Sequence, residues 1–314
     1  MISVPEVVVE RVAAAVGSGE SLVDLAIESA RVALGSDRVA LGSDRIALGS
    51  DRVATADPAK TLANSNRPHS TLIDPMSEAP VAVIAATFSN PERFPALAVR
   101  VAASLGLPSS VAAFDVQMAC SAYPYALYLA GRLSTDMGGK VLVVDGDVQS
   151  PLVDEADHAT GKIFSDACTA TVVSANPGGA SRFDFLSRQD EALLCASGGP
   201  IKMDGFKVFS FVATEVSKFL KDFLSSAPAP DFFAPHQANP YMVRQLADAL
   251  GLKEKLLTIP DELKNPGSCS VPLALAHNAA RLAGSSVLVA GFGAGYSASA
   301  GIVKIAGDYD GKVL

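Results

Sequence analysis

At 314 residues, with 49% hydrophobic and 18% charged side chains and a positive mean hydropathy, the chain carries enough apolar material for one large unit or two packed halves, which excludes disorder. Its net charge of −8, with basic residues scattered, excludes a nucleic-acid footprint. No run of about 18 apolar residues is free of charges or Gly/Pro breaks, as a membrane helix would require, and the start MISVPEVVVER lacks a secretory layout, so a cytoplasmic protein is expected.

In chain order, SLVDLAIESARVAL (21–34) predicts a helix. It runs into a seven-residue repeat: Arg-Val-Ala-Leu-Gly-Ser-Asp at 31–37 recurs at 38–44 and, with Ile46 for Val, at 45–51. The bunched V-A-L has no coiled-coil spacing, so the repeat reads as a tandem expansion. With the Pro/Asn/Ser-rich 57–80 it forms an insertion over about 31–80, at low entropic cost if it lies on the surface.

Beyond residue 80, short apolar runs alternate with helical stretches. Buried strands are expected at 81–88, 109–119, 140–147 and 168–175, with helices at 95–106 and 121–133. The second half repeats the rhythm: strands at 181–188, 231–236, 256–261, 285–292 and 297–305, and helices near 210–225, 240–250 and 272–283. The alternation implies mixed, mostly parallel sheets covered on both faces, in an internally duplicated α/β architecture with halves at 1–174 and 175–314.

The four cysteines, at 120, 168, 195 and 269, form no CxxC pair, so no metal site is expected and the thiols should be free. Cys120 stands apart, because in AFDVQMACSAYPYAL a buried strand feeds directly into a helix. Helix N-terminal N–H groups favour a thiolate, lowering the pKa from about 8.5 toward neutrality, and can also face an oxyanion. Of the histidines, His236 ends the strand DFFAPH, at the sheet edge where α/β proteins collect reactive groups. His277 lies inside a helix, His69 in a polar loop and His158 in the acidic stretch DEADHATGK, settings that suit packing or solvation. Asn265, in LKNPGSCSVP, reads alone as a turn residue, but it follows His236 by one helix and one strand, enough to return to the same edge.

Taken together, FDVQMACSAYPYAL, IFSDACTATVV, MDGFKVFSFV, FFAPHQAN, NPGSCSVPLAL and GFGAGYSAS, in this order over roughly 81–305, resemble the β-ketoacyl-acyl-carrier-protein synthase III family of the thiolase superfamily. The resemblance implies a five-layer αβαβα thiolase fold of two pseudo-duplicated halves. It also implies that Cys120 takes an acyl group from a thioester while His236 and Asn265 bind the carbonyl of a second, malonyl or β-keto, thioester. The backbone N–H groups of Cys120 and Ala294, the latter where relatives have glycine, would form the oxyanion hole. Phe209, Gln237 and Asn239 would bind substrate, and Phe94 would reach the acyl pocket of a homodimer mate. No cofactor is implied beyond the phosphopantetheine of acyl carrier protein or coenzyme A.

The chain departs from the family pattern in lacking any Trp and in reaching its first helix by about residue 21, so the N-terminal strand is expected to be missing or shortened and a carrier-protein-bound chain to replace coenzyme A as donor. Lys264 and Pro266 stand where relatives have Gly and Thr. The expected reaction is Claisen condensation of two thioester-bound chains in polyketide or fatty-acid-like secondary metabolism. The alternatives are acyl transfer to an oxygen or nitrogen nucleophile, with His236 as general base, and a non-catalytic partner subunit of a heteromeric synthase.

Overall fold

From Ile2 to Val16 the chain forms strand β1, fifteen residues long, so the expectation of a missing or shortened N-terminal strand is corrected. The Val7–Val9 run and Val12 pair along a neighbouring strand, and Ala13, Ala14 and Ala15 are buried against it. Pairing within a covered sheet overrides the helical propensity of the alanine-rich end. The structure is a computed structural model that describes residues 1–17, 19–35, 79–197 and 199–314; most of the insertion with its repeat, and His69, lie outside these residues.

After β1 come α1 (Leu22–Ala33), β2 (Ala82–Ala86), α2 (Leu97–Ser104), β3 (Ala112–Val116), α3 (Ala122–Met137), β4 (Val141–Asp147) and β5 (Ala167–Ser187). The chain continues through β6 (Leu193–Cys195), β7 (Ile201–Met203), α4 (Gly205–Phe211), a π turn into α5 (Ser217–Leu224), β8 (Phe232–Pro235), α6 (Pro240–Ala249), α7 (Ser270–His277), β9 (Ser286–Gly293) and β10 (Ser297–Val313). Among the described residues no helix is long and apolar enough to cross a membrane.

Three apolar layers define the architecture. Leu25 and Ala26 of α1 and Leu97 and Val101 of α2 pack on Val83, Leu142, Val144 and Ala170, one face of the first strand set. The opposite face, with Ile84, Val143 and Val173, meets Tyr123, Leu127 and Ala130 of α3 and Val271 and Leu275 of α7. These helices also cover Val287, Val289 and Val303 of the second set. The far face of that second set, Leu288, Ala290, Phe292 and Ala298, is covered by Leu220 and Phe223 of α5 and Leu246 of α6. The result is the expected αβαβα layering. Each large side chain buried in it contributes roughly 1.5–3 kcal/mol by the apolar area removed from water.

The strands run β3-β2-β4-β5-β1-β10-β9-β8 in one hydrogen-bonded order. Four of its eight pairings are antiparallel, so the sheets are mixed but not mostly parallel. The segments expected as separate strands at 168–175 and 181–188 are one strand, β5, which passes through Pro177-Gly178-Gly179 at a register shift against β1. Its first part pairs with β4, its second with β10, and so it carries the chain from one set to the other across position 174. The strand expected at 256–261 is reduced to a single bridge between Leu256 and Phe233, followed by a 3-10 turn at Asp261–Leu263. Pro260 offers no N–H to extend the pairing, although Leu257 and Ile259 still alternate into the core.

Candidate active site

Between β3 and α3 the chain turns sharply. Ala119 adopts φ +42°, a left-handed conformation that costs a residue with a Cβ about 1–2 kcal/mol. One 3-10 turn, Ala119–Ser121, then presents Cys120 before α3 begins. The turn is clamped by the β9–β10 hairpin: Ser121 Oγ lies 2.5 Å from Ser297 Oγ, and Ser299 Oγ donates to Ser121 O at 2.8 Å. Two glycines of β9 make room for it. A Cβ on Gly291 would fall 2.6 Å from Ser121 Cα, and one on Gly293 would fall 2.9 Å from Cys120 Cβ.

The Cys120 thiol is buried, and its own N–H and that of Ala294 act on it in the direction that favours the anion. Burial, then the charge of Asp147, outweigh them and push the thiol up to about 12. The expectation of a pKa lowered toward neutrality is therefore corrected: removal from water costs the thiolate more than two amides return. Iodoacetamide alkylation of Cys120, followed by peptide-resolved mass spectrometry, is expected to rise about tenfold per pH unit from pH 7 to 9. A plateau in that range would mean a thiolate is already formed at rest.

His236 follows β8, its N–H bonded to Ala290 O at 2.7 Å and its ring edge-on to Phe292 at 5.5 Å. Its Nδ1 is 2.9 Å from Ser270 Oγ and 3.1 Å from Gly267 O. Burial lowers its pKa to about 4, so the ring is neutral at neutral pH. Asn265 is also buried. Its Oδ1 accepts from Gly267 N at 3.0 Å, its N–H donates to Ile163 O, and its O accepts from Gln149 Nε2 at 3.1 Å. Gly267 thus lies against both side chains, its carbonyl 3.1 Å from His236 Nδ1 and its N–H donating to Asn265 Oδ1. With Oδ1 occupied, Asn265 Nδ2 has no acceptor among the described residues. Lys264 and Pro266, the departures from the family pattern, flank this turn, and Lys264 takes φ +52° to enter it.

Sequence reasoning missed the acids behind the turn. Asp145 and Asp147, two apart on β4, are both fully buried. Ser268 Oγ donates to Asp145 Oδ1, whereas Asp147 Oδ1 accepts from Thr87 Oγ1 and from the N–H groups of Phe88 and Ser89. Burial pushes Asp147 up to about 6 and Asp145 well above the usual carboxylate range. The available signal was two acids at alternate positions in the otherwise apolar strand KVLVVDGD.

Phe94 is 84% exposed, while Phe209 is half-buried and stacks on Tyr241. Gln237 gives its Nε2 to Pro235 O and Leu257 O, and Asn239 caps α6 by accepting from Met242 N at 2.8 Å. Both line a cavity of about 220 Å3 with Ile163, Arg244 and Lys264. A second cavity, about 450 Å3, opens beside the Ala119–Ser121 turn and is lined by Phe88, Met118, Ala119, Ala294 and Tyr296. His158 and His277 are exposed. All four cysteines are free; Cys168 and Cys269 are buried and Cys195 is exposed.

Family models described as 3-oxoacyl-[acyl-carrier-protein (ACP)] synthase III and its C-terminal domain match residues 114–190 and 228–305. The chain is 32% identical over 234 residues to the β-ketoacyl-[acyl-carrier-protein] synthase III of Neorickettsia sennetsu, an alignment covering 69% of this chain and 73% of that one. In fold it is similar to a 3-oxoacyl-(acyl-carrier protein) synthase of Burkholderia xenovorans, with TM-score 0.80, 21% identity, and 99% of this chain and 98% of that one covered. The priming β-ketosynthase of the R1128 polyketide pathway aligns with TM-score 0.67 and 27% identity over 74% of this chain and 77% of that one.

Proposed function

Because the chain belongs to the 3-oxoacyl-[acyl-carrier-protein] synthase III family, a family of acyltransferases, we propose that it joins two thioester-bound chains by decarboxylative Claisen condensation. In this reading the Cys120 sulfur attacks an acyl thioester, and the N–H groups of Cys120 and Ala294 hold the tetrahedral oxyanion until the donor thiol leaves. A malonyl thioester then places its carbonyl oxygen on His236 and Asn265. Loss of CO2 leaves an enolate whose carbon attacks the acyl–Cys120 carbonyl, and the thiolate is expelled. The observation that carries the reading is the pairing of Asn265 Oδ1 with the Gly267 N–H, which turns the amide so that Nδ2 is left free as a donor.

The donor is a chain on the phosphopantetheine of an acyl carrier protein, the setting is polyketide or fatty-acid-like secondary metabolism in the cytoplasm, and no cofactor or metal is needed. Phe209 and Asn239 lie on the substrate path. The exposed Phe94 supports a homodimer in which that ring is covered by the mate. A second reading, transfer to an oxygen or nitrogen nucleophile, is favoured by the 3.1 Å contact of His236 Nδ1 with Gly267 O, since a proton there would leave Nε2 as a base.

The test supplies acyl and malonyl carrier proteins and coenzyme A thioesters, and reads β-ketoacyl product by mass spectrometry, with native spectra reporting the dimer. His236→Ala and Asn265→Ala are each expected to lower condensation about 100-fold while Cys120 acylation persists. Acyl esters or amides in place of β-keto product would give the site to the second reading.

A further inference from the structure

Ser270, the first residue of α7, is fully buried; it falls within the segment NPGSCSVPLAL, but the sequence assigned it no role. Its Oγ lies 2.9 Å from His236 Nδ1 and accepts the N–H of Gln237 at 3.0 Å. A hydroxyl carries one hydrogen, and among the described residues His236 Nδ1 is the only acceptor within reach of this one. The competing partner of Nδ1, the Gly267 carbonyl, already receives the backbone N–H of Ser270.

Two proton arrangements can therefore be compared. With a hydrogen on Nδ1, that N–H points at Gly267 O or Ser270 Oγ, and the Ser270 hydroxyl hydrogen is left buried without an acceptor. An orphaned buried donor costs about 1–3 kcal/mol. With a bare Nδ1, the Ser270 hydroxyl donates to it, Gly267 O keeps the Ser270 N–H, and every hydrogen has an acceptor; the cost is that Nδ1 and Gly267 O, both acceptors, then face each other at 3.1 Å, which their off-line geometry makes smaller than the cost of a buried hydroxyl left without an acceptor. The second arrangement puts the imidazole hydrogen on Nε2. A neutral ring, which burial favours here, carries only that one.

We propose that Ser270 is a positioning residue that donates its hydroxyl hydrogen to His236 Nδ1 and so fixes the imidazole as the Nε2–H tautomer. The catalytic nitrogen is then a hydrogen-bond donor. It suits a thioester carbonyl whose oxygen gains charge as an enolate forms, and it has no lone pair with which to deprotonate an alcohol or amine. The inference deepens the condensation reading and rests on it for its consequence, whereas the tautomer itself rests on the hydrogen-bond network.

Long-range proton–nitrogen correlation spectra of the full-length enzyme labelled with nitrogen-15 histidine, with His236 assigned from the signal lost in His236→Asn, read both ring nitrogens directly. In the wild type, Nε2 is expected to be protonated and Nδ1 bare; a hydrogen on Nδ1 overturns the proposal without recourse to any variant. In Ser270→Ala the hydrogen is expected to move to Nδ1, facing Gly267 O. Condensation should then fall about 30-fold in kcat while Cys120 acylation changes little, and the melting temperature should drop by a few degrees because the buried Gln237 N–H loses its acceptor. Ser270→Thr, which keeps the hydroxyl, is expected to restore the wild-type pattern. An unchanged tautomer in a folded Ser270→Ala would also overturn the proposal. The expected tautomers with no β-ketoacyl product from any thioester pair would instead remove the condensation reading and leave the tautomer assignment standing.

Discussion

Cys120→Ala is expected to abolish covalent acyl uptake. Intact-protein mass spectrometry of the wild type with acyl thioesters should show a gain of one acyl group, and the variant none with any donor. No other cysteine can substitute. Cys269 Sγ is spent on Pro266 O at 2.9 Å, Cys168 is fully buried with its pKa raised, and Cys195 lies on the surface in the short β6–β7 hairpin. Only Cys120 sits under the amides of a helix-leading turn and of Ala294. Loss of a covalent nucleophile commonly costs on the order of 10^6 in kcat, so condensation should become unmeasurable. His236 is held by Ser270 and Asn265 by Gly267, neither by the thiol, so the variant should still bind a malonyl thioester. Acyl uptake that survives in Cys120→Ala would place the nucleophile elsewhere and remove the family-based mechanism.

Those residues differ in how far they could be read in the sequence. Cys120 was visible because strand-into-helix is a local pattern, carried by adjacent apolar runs. His236 was visible for the same reason, at a strand end. Asn265 was read from its spacing to His236 and from the family resemblance, since a turn of this composition looks alike whether or not its side chain faces a substrate. Asp145, Ser268 and Ser270 stayed hidden because their partners are remote: the Asp145–Ser268 contact joins residues 123 apart, and Ser270 meets His236 across 34. The height of the Cys120 pKa was missed for a related reason, because burial and a carboxylate from another strand are properties of packing and not of the helix that follows.

In the fold, element type was legible wherever periodicity was strong, as in α1, α3 and β4. It failed where tertiary pairing decided the outcome. β1 draws its alanines into a sheet through β5, and β5 runs straight through a Pro-Gly-Gly that reads locally as a break. The 256–261 segment has the alternation of a strand, but it lies beside a four-residue edge strand that offers it one bridge.

A large loss of stability is expected from Gly291→Ala, a change of one methyl group. Gly291 lies mid-strand with no unusual backbone angle, so the argument is one of space alone: its added Cβ would fall 2.6 Å from Ser121 Cα and 2.8 Å from Cys120 O. Both are backbone atoms, and neither can rotate away as a side chain would. Ser297 and Ser299, paired with Gly293 and Gly291 across the same hairpin, tie that turn down by hydrogen bonds, so relief must come from moving the hairpin or the Ala119–Ser121 turn against those bonds. Overpacking of this kind costs ~3 kcal/mol, which for a chain of this size lowers the melting temperature by about 5 °C. Displacing Cys120 from the Ala294 amide should also slow acylation about 100-fold, because catalytic groups tolerate little misplacement. Gly307→Ala, on β10 with nothing within 4 Å of the new Cβ, is the matched control and should melt and acylate as the wild type does. Thermal melts and acylation rates of the two variants separate the possibilities. If Gly291→Ala behaves like Gly307→Ala, β9 is not what holds the nucleophile in place. If it melts lower yet acylates normally, the strand supports the fold without setting the position of Cys120.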